Sequence, residues 1–296
     1  MYCGHSTSII FFGTDNFSLV TLQGLIDAGY EIAAVVTKPD SKSGRGQHLT
    51  ASPVKVLAIK NNIRVWQPNN LKEIENDIKN LTPVTGVLAS YGKIVPKSTI
   101  QLFTPGIINI HPSLLPKYRG PSPIESTIMN RDQVTGVSIM QLSSEMDAGP
   151  VYDQVTQVLS GTETAPELYQ TLAKAGTTLL ISILPSIIEG ALEPTQQDEK
   201  RATYCRLIDK KDAWIDFKNL DSHDVEAKIR AQIEFPKSKI NIFNSDIIIT
   251  QAHVVNEKQT SLDIECRDGL FISIDELINP NGRKVSKKDF LNGYSK

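Results

Sequence analysis

Cysteine is scarce in this chain of 296 residues: Cys3, Cys205 and Cys266 are far apart and form no CxxC pair. That spacing argues against a disulfide framework and against a zinc site of paired thiolates. Three reduced thiols fit a cytoplasmic protein. Excess charge is also lacking. The net charge is −2, so the protein as a whole is no basic nucleic-acid binder, and any RNA contact has to come from a local patch. No apolar run approaches the ~18 residues a membrane span needs. The opening MYCGHSTS lacks the basic stretch and apolar segment of a signal peptide. The expectation is a cytoplasmic protein with no membrane partner. Nor does a GxGxxG follow the first apolar run, where Gly13 stands alone; a dinucleotide-dependent oxidoreductase is thereby disfavoured. What is present is ordinary globular material, 40 % apolar and 22 % charged, enough for a sizeable core in two domains.

Residues 8–12 form a short apolar run that ends at Gly13 and Thr14. Phe17, Leu19, Val20, Leu22, Leu25 and Ile26 then recur at helical spacing until Gly29, and residues 31–37 are again β-branched. Strand, helix and strand in this order predict a βαβ unit and a parallel sheet covered by helices. Further strands are expected at 84–90, 107–110, 137–142 and 152–158, a short helix at 123–129, and a long helix over 163–189 that Pro185 kinks or ends. After Gly190 the composition turns polar, with Pro194, Gln196 and Gln197. The expected plan is a Rossmann-like α/β domain over 1–190, a linker over 191–202 and a small β-rich domain over 203–296 with a helix near 225–231.

Residues 107–153 are the richest in chemistry. Asn109 and His111 are two apart on a predicted strand, so both emerge on one face near its carboxyl end. Ligands of open α/β sheets bind at such ends. Asp147 follows another predicted strand, just before Ala148-Gly149. An amide can donate to a developing oxyanion, an imidazole can move a proton near neutral pH, and a carboxylate can orient the imidazole. The set suits attack of an amine on a carbonyl. Spacing alone leaves the alternative of loop hydrogen-bonders and a turn aspartate open.

The stretch NIHPSLLPKYRG, 109–120, with Asp147-Ala148-Gly149 beyond it, resembles the signature of the 10-formyltetrahydrofolate-dependent formyltransferases. The resemblance implies a Rossmann-like formyltransferase domain followed by a small OB-like β-barrel. It also implies Asn109, His111 and Asp147 as the catalytic trio, Ser113, Leu114, Leu115 and Pro116 along the folate site, and 10-formyltetrahydrofolate as co-substrate without a metal. ASYGKIVP, 89–96, resembles the segment that helps form the family's pterin pocket.

Within the family, KPDSKSGRGQHLTASPVK, 38–55, and the opening FFGTDNF, 11–17, resemble the methionyl-tRNA formyltransferases, although Asp15 stands where they usually carry Pro. This resemblance implies charged initiator tRNA as partner, a monomer, and RNA contacts from Lys42 and Arg45 in a glycine-flanked basic loop. A second basic cluster, Arg283, Lys284, Lys287 and Lys288, is either an RNA track or a solvated face. HPSLLP departs from the tRNA enzymes at Pro112, where they usually carry Gly, and resembles the shorter purine-pathway enzymes. The nearest alternative is a sugar-nucleotide amine formyltransferase that uses the same trio and the same folate.

Overall fold

The computed structural model describes residues 8–43 and 48–294. Cys3, Gly44, Arg45 and Gly46, and with them the expected RNA contact of Arg45, lie outside the described residues. In chain order the first half builds β1 (Ser8–Gly13), α1 (Asn16–Asp27), β2 (Ile32–Val36), β3 (Ser41–Ser43), β4 (His48–Thr50), α2 (Pro53–Lys60), β5 (Val65–Trp66), α3 (Glu75–Lys79), β6 (Val84–Ala89), α4 (Lys97–Ile100) and β7 (Ile107–His111). Then come α5 (Pro123–Met129), β8 (Val134–Gln141), β9 (Val151–Val158), α6 (Ala165–Ile188), α7 (Ser222–Ala231), β10 (Lys239–Ile242), β11 (Ser245–Val255), β12 (Asp263–Glu265), β13 (Phe271–Ile278), β14 (Lys284–Ser286) and α8 (Lys287–Tyr294).

Two compact units result. The first takes in the described residues up to Pro121, Gly136–Gln157 and Gln170–Tyr204; the second takes in Ser122–Thr135, Val158–Tyr169 and the chain from Cys205. This division is not three consecutive segments. The polar stretch 191–202 belongs to the first unit, and two inner segments group with the C-terminal part.

The first unit is built on a seven-stranded sheet of order β5-β2-β1-β6-β7-β8-β9. Ile9, Ile10, Phe11 and Phe12 are all fully buried, as expected of a strand covered on both faces. β5, β2, β1, β6 and β7 run parallel, whereas β8 is antiparallel to β7, with Asn109 opposite Met140 and His111 opposite Ser138. The expected parallel sheet is there in its first five strands, with an antiparallel addition at β8 that the apolar run could not announce, since such a run does not encode its direction. Asp15, the departure from the usual Pro, caps α1; its carboxylate accepts from Ser18 N at 3.1 Å and from the Ser90 hydroxyl. Ser52 caps α2 ahead of Pro53. Beneath the sheet Phe12 meets Tyr91 and Phe103 edge-on, each at 5.7 Å between centroids.

α6 runs unbroken through Pro185. By length and composition this helix of 24 residues is long and apolar enough to cross a membrane, a test that the core helix of a globular protein also passes. Its apolar stripe (Leu168, Leu172, Ala173, Leu180, Leu184 and Ile187) is buried in the protein.

The second unit holds an antiparallel sheet of order β10-β11-β13-β12, with β14 on β13. Among the described strands no pairing closes it, so the expected barrel is an open, half-barrel sheet. α7 packs on β11 and β13, and Val225, Ile229, Ile247, Ile274, Leu277 and Phe290 fill the core. Two of the four basic residues near the C-terminus are tied down structurally. Lys287 bonds Asp263 at 2.8 Å and the Ser273 hydroxyl at 2.6 Å, and Lys284 pairs with Glu276.

Candidate active site

β7 positions the first two candidate residues. Its register between β6 and β8 places Asn109 beside Leu88 and Met140, and alternation puts His111 on the same face. Both side chains are buried. Among the described residues the Asn109 amide enters no side-chain hydrogen bond, so its donors are uncommitted. His111 has a polar neighbour at each ring nitrogen, one of them within hydrogen-bond distance. Nε2 lies 2.9 Å from the Tyr118 carbonyl, and Nδ1 lies 3.7 Å from Asp147 Oδ2. A carbonyl only accepts, so Nε2 carries a proton. Nδ1 is then the nitrogen left to exchange one, and it faces the carboxylate.

Asp147 reaches this position from the turn after β8, with a φ of 49°. Its Oδ2 accepts from Gly120 N at 2.8 Å. The turn passes so close to β8 that a Cβ at Gly149 would sit 1.9 Å from the Gln141 carbonyl oxygen. Only glycine fits there.

The loop after His111 is held by one hydroxyl. Ser138 Oγ donates to the Ser113 carbonyl at 2.6 Å and accepts from Leu115 N at 3.0 Å and from the Gln154 amide at 2.7 Å. Ser113 is itself committed, its Oγ donating to the Lys117 carbonyl at 2.6 Å. Of the four residues expected along the folate site, Ser113 and Leu115 are thus buried in the loop's own scaffold, and Leu114 and Pro116 are half-exposed. In the 89–96 segment, burial pushes the Tyr91 phenol up to about 12, and Ile94 is 86 % exposed. An exposed aliphatic side chain of this size is available to an apolar ring.

A cavity of about 380 Å³ opens at the carboxyl ends of β1 and β2, lined among others by Thr14, Asn16, Lys38, Ser41, Thr50 and Ser52. It adjoins the β3–β4 hairpin, on whose first strand Lys42 lies. At the hairpin's base Lys55 bonds Asp40 and Gln67, each at 2.7 Å, and Gln67 bonds Asp40 at 2.7 Å. The PD and SPVK motifs noted in the sequence are therefore one structural clasp.

Sequence reasoning missed Arg119 and Gln197. Arg119 is 1 % exposed and donates to Gln197 Oε1, to both Glu199 oxygens and to the Tyr204 hydroxyl. The Gln197 amide donates to the carbonyls of Asp147 and Gly149. The signal available was weak: a lone arginine after an aromatic, and a glutamine in a polar run.

An amide, an imidazole and a carboxylate at the carboxyl end of an α/β sheet are suited to moving a small acyl unit onto an amine. The chain belongs to the formyl transferase family. Its residues 7–184 match the formyl transferase model and residues 207–295 match the formyl transferase, C-terminal domain. A methionyl-tRNA formyltransferase of Dictyoglomus turgidum is 37 % identical over 305 residues, covering 97 % of this chain and 96 % of the relative. One of Buchnera aphidicola is 37 % identical over 258 residues, 86 % of this chain and 82 % of the relative. Among solved structures, an N-formyltransferase from Helicobacter canadensis in complex with folinic acid and dTDP-3-aminofucose superposes with a TM-score of 0.70 at 22 % identity. It covers 90 % of this chain and 98 % of that one. HypX from Aquifex aeolicus in complex with tetrahydrofolic acid also reaches 0.70, at 16 % identity, over 98 % of this chain and 47 % of its own. These structural likenesses speak for the fold.

Proposed function

We propose that the protein transfers the formyl group of 10-formyltetrahydrofolate to the amino group of methionyl initiator tRNA. The observation that carries the reading is the 37 % identity to a methionyl-tRNA formyltransferase along 97 % of the chain. The geometry at the end of β7 supports it.

The neutral amine of the methionyl ester attacks the formyl carbon on N10. The oxyanion of the tetrahedral intermediate accepts from the Asn109 amide, whose donors are uncommitted. The ammonium proton leaves toward His111 Nδ1 and Asp147, directly or through one water, while Nε2–H stays on the Tyr118 carbonyl. The C–N10 bond then breaks, and N10 takes the proton to give tetrahydrofolate. Leu114, Pro116 and Ile94 offer apolar surface to the folate. Ser113 serves by shaping the loop, because its hydroxyl is already committed. The tRNA end approaches along the β3–β4 hairpin, beside the Lys38-lined cavity, and the basic residues Lys42 and Arg45 of that sequence stretch contact its phosphates.

The test offers the purified protein formylfolate with charged methionyl initiator tRNA or, separately, an amino-sugar nucleotide. Formylation of the tRNA alone is the expected result. Transfer only to the sugar nucleotide would overturn the assignment in favour of a sugar amine formyltransferase.

A further inference from the structure

Asp147 has a positive φ of 49°, uncommon for a non-glycine residue although Asp tolerates it better than most. Hydrogen bonds to this turn come from a stretch that composition marks as a connection. Gln197 Nε2 donates to the Asp147 carbonyl at 2.8 Å and to the Gly149 carbonyl at 2.7 Å, so both amide protons span the turn. Its Oε1 accepts from Arg119 Nε at 3.0 Å and Nη2 at 2.9 Å. A guanidinium can only donate. Arg119 therefore dictates which end of the amide faces which way: the oxygen toward itself, the two donors toward the turn. Arg119 is fixed in turn by Glu199, at 2.8 and 2.7 Å, and by Tyr204.

The backbone of the same stretch pairs with both halves of the site. Thr195 and Val151 exchange two hydrogen bonds of 2.8 Å, just past the Asp147 turn. Thr203 N donates to the Pro116 carbonyl, and Arg119 N donates to the Thr203 carbonyl. Tyr118 N also donates to the Thr203 hydroxyl at 2.9 Å, and Tyr118 is the residue whose carbonyl receives His111.

We propose that Gln197, oriented by Arg119, is a positioning residue that holds the Asp147 turn so that its carboxylate faces His111 Nδ1. The inference rests on the reading of Asp147 as the working carboxylate of formyl transfer. Gln197 touches neither substrate nor reacting atoms in this role; it acts through Asp147.

The informative variant is Gln197→Glu in the full chain. It keeps size and the link to Arg119 but replaces two donors by acceptors facing two carbonyls. Gln197→Ala, which removes both links without adding charge, is its companion. Both variants should lower kcat by roughly tenfold or more while leaving KM for formylfolate and for methionyl-tRNA within about threefold, the signature of a lost transition-state arrangement. In an Asp147→Asn background neither should slow the enzyme further, because residues acting as one unit are non-additive. Amide exchange in a peptide covering 144–149 should quicken. Full additivity with Asp147→Asn, or wild-type kcat with unchanged exchange, would overturn the proposal. If the wild type formylates no methionyl-tRNA, the functional reading fails. The exchange measurement still decides whether Gln197 holds the turn: quickened exchange supports it and unchanged exchange sinks it.

Discussion

At the scale of single residues, the two nitrogens of His111 have different employers. The Tyr118 carbonyl fixes the proton on Nε2, and Nδ1 faces a carboxylate 3.7 Å away. A group that moves a proton in the rate-limiting step contributes roughly 10²-fold or more. His111→Ala and Asp147→Asn should therefore each lower kcat by about that factor, with formylfolate binding intact by fluorescence titration. A different carboxylate, Asp263, contributes to acid sensitivity. Burial works against ionisation of Asp263, but bonds from Lys287, Ser273 and the N–H groups of Gln259 and Thr260 outweigh it and hold this carboxyl well below the usual range. A carboxyl more acidic in the folded than in the unfolded chain contributes its full stabilisation above the unfolded value, ~4, and loses it as pH falls toward the folded value. Melting temperature should drop on acidification below pH ~4. Lys287→Met should flatten that dependence and cost about 1–3 kcal/mol at neutral pH, the scale of a lost bond to a buried charged group.

At the scale of elements, the site depends on how closely two backbones pass. Gly149→Ala would place a methyl 1.9 Å from the Gln141 carbonyl oxygen. The turn carrying Asp147 must then shift, with a loss of roughly 2 kcal/mol in chemical denaturation and a matching fall in kcat. Ser138→Ala removes the one hydroxyl that gathers Ser113, Leu115 and Gln154, and should raise KM for formylfolate several-fold by loosening the loop. Elements with short apolar runs, such as β1, β2, β6 and β7, were legible in the sequence because strands covered on both faces read as near-continuous apolar segments. So was α6, from its apolar stripe. β5 was not, since two residues, Val65 and Trp66, carry no periodicity. The reversed direction of β8 was not legible either. In the site, two-residue alternation placed Asn109 and His111 on one strand face and the resemblance supplied their expected role, whereas the contact of Asp147 needs a turn bonded by a residue 50 positions later.

At the scale of the whole molecule, a net charge of −2 gives RNA no broad electrostatic attraction, so recognition has to be local. Lys287 and Lys284 are committed to Asp263 and Glu276, so the C-terminal cluster offers RNA less available charge than its sequence suggests. Arg45→Ala should raise KM for methionyl-tRNA and reduce the slope of log KM against log salt by about one unit, leaving formylfolate binding unchanged. The change in composition after Gly190 set the expected boundary. The compact units cross it, because polarity marks exposure, and a polar strand-like segment can still be hydrogen-bonded along its length.

The pairing of Thr195 with Val151 and of Thr203 with Pro116 and Arg119 bears on how this protein is cut down for engineering. An excised transferase half ended at residue 190 would discard the partners that neutralise and orient a deeply enclosed arginine. Its silence in an assay would then be mistaken for dependence on the C-terminal half. A boundary drawn after Tyr204 keeps the brace, and makes the contribution of the remaining residues to tRNA use a fair comparison.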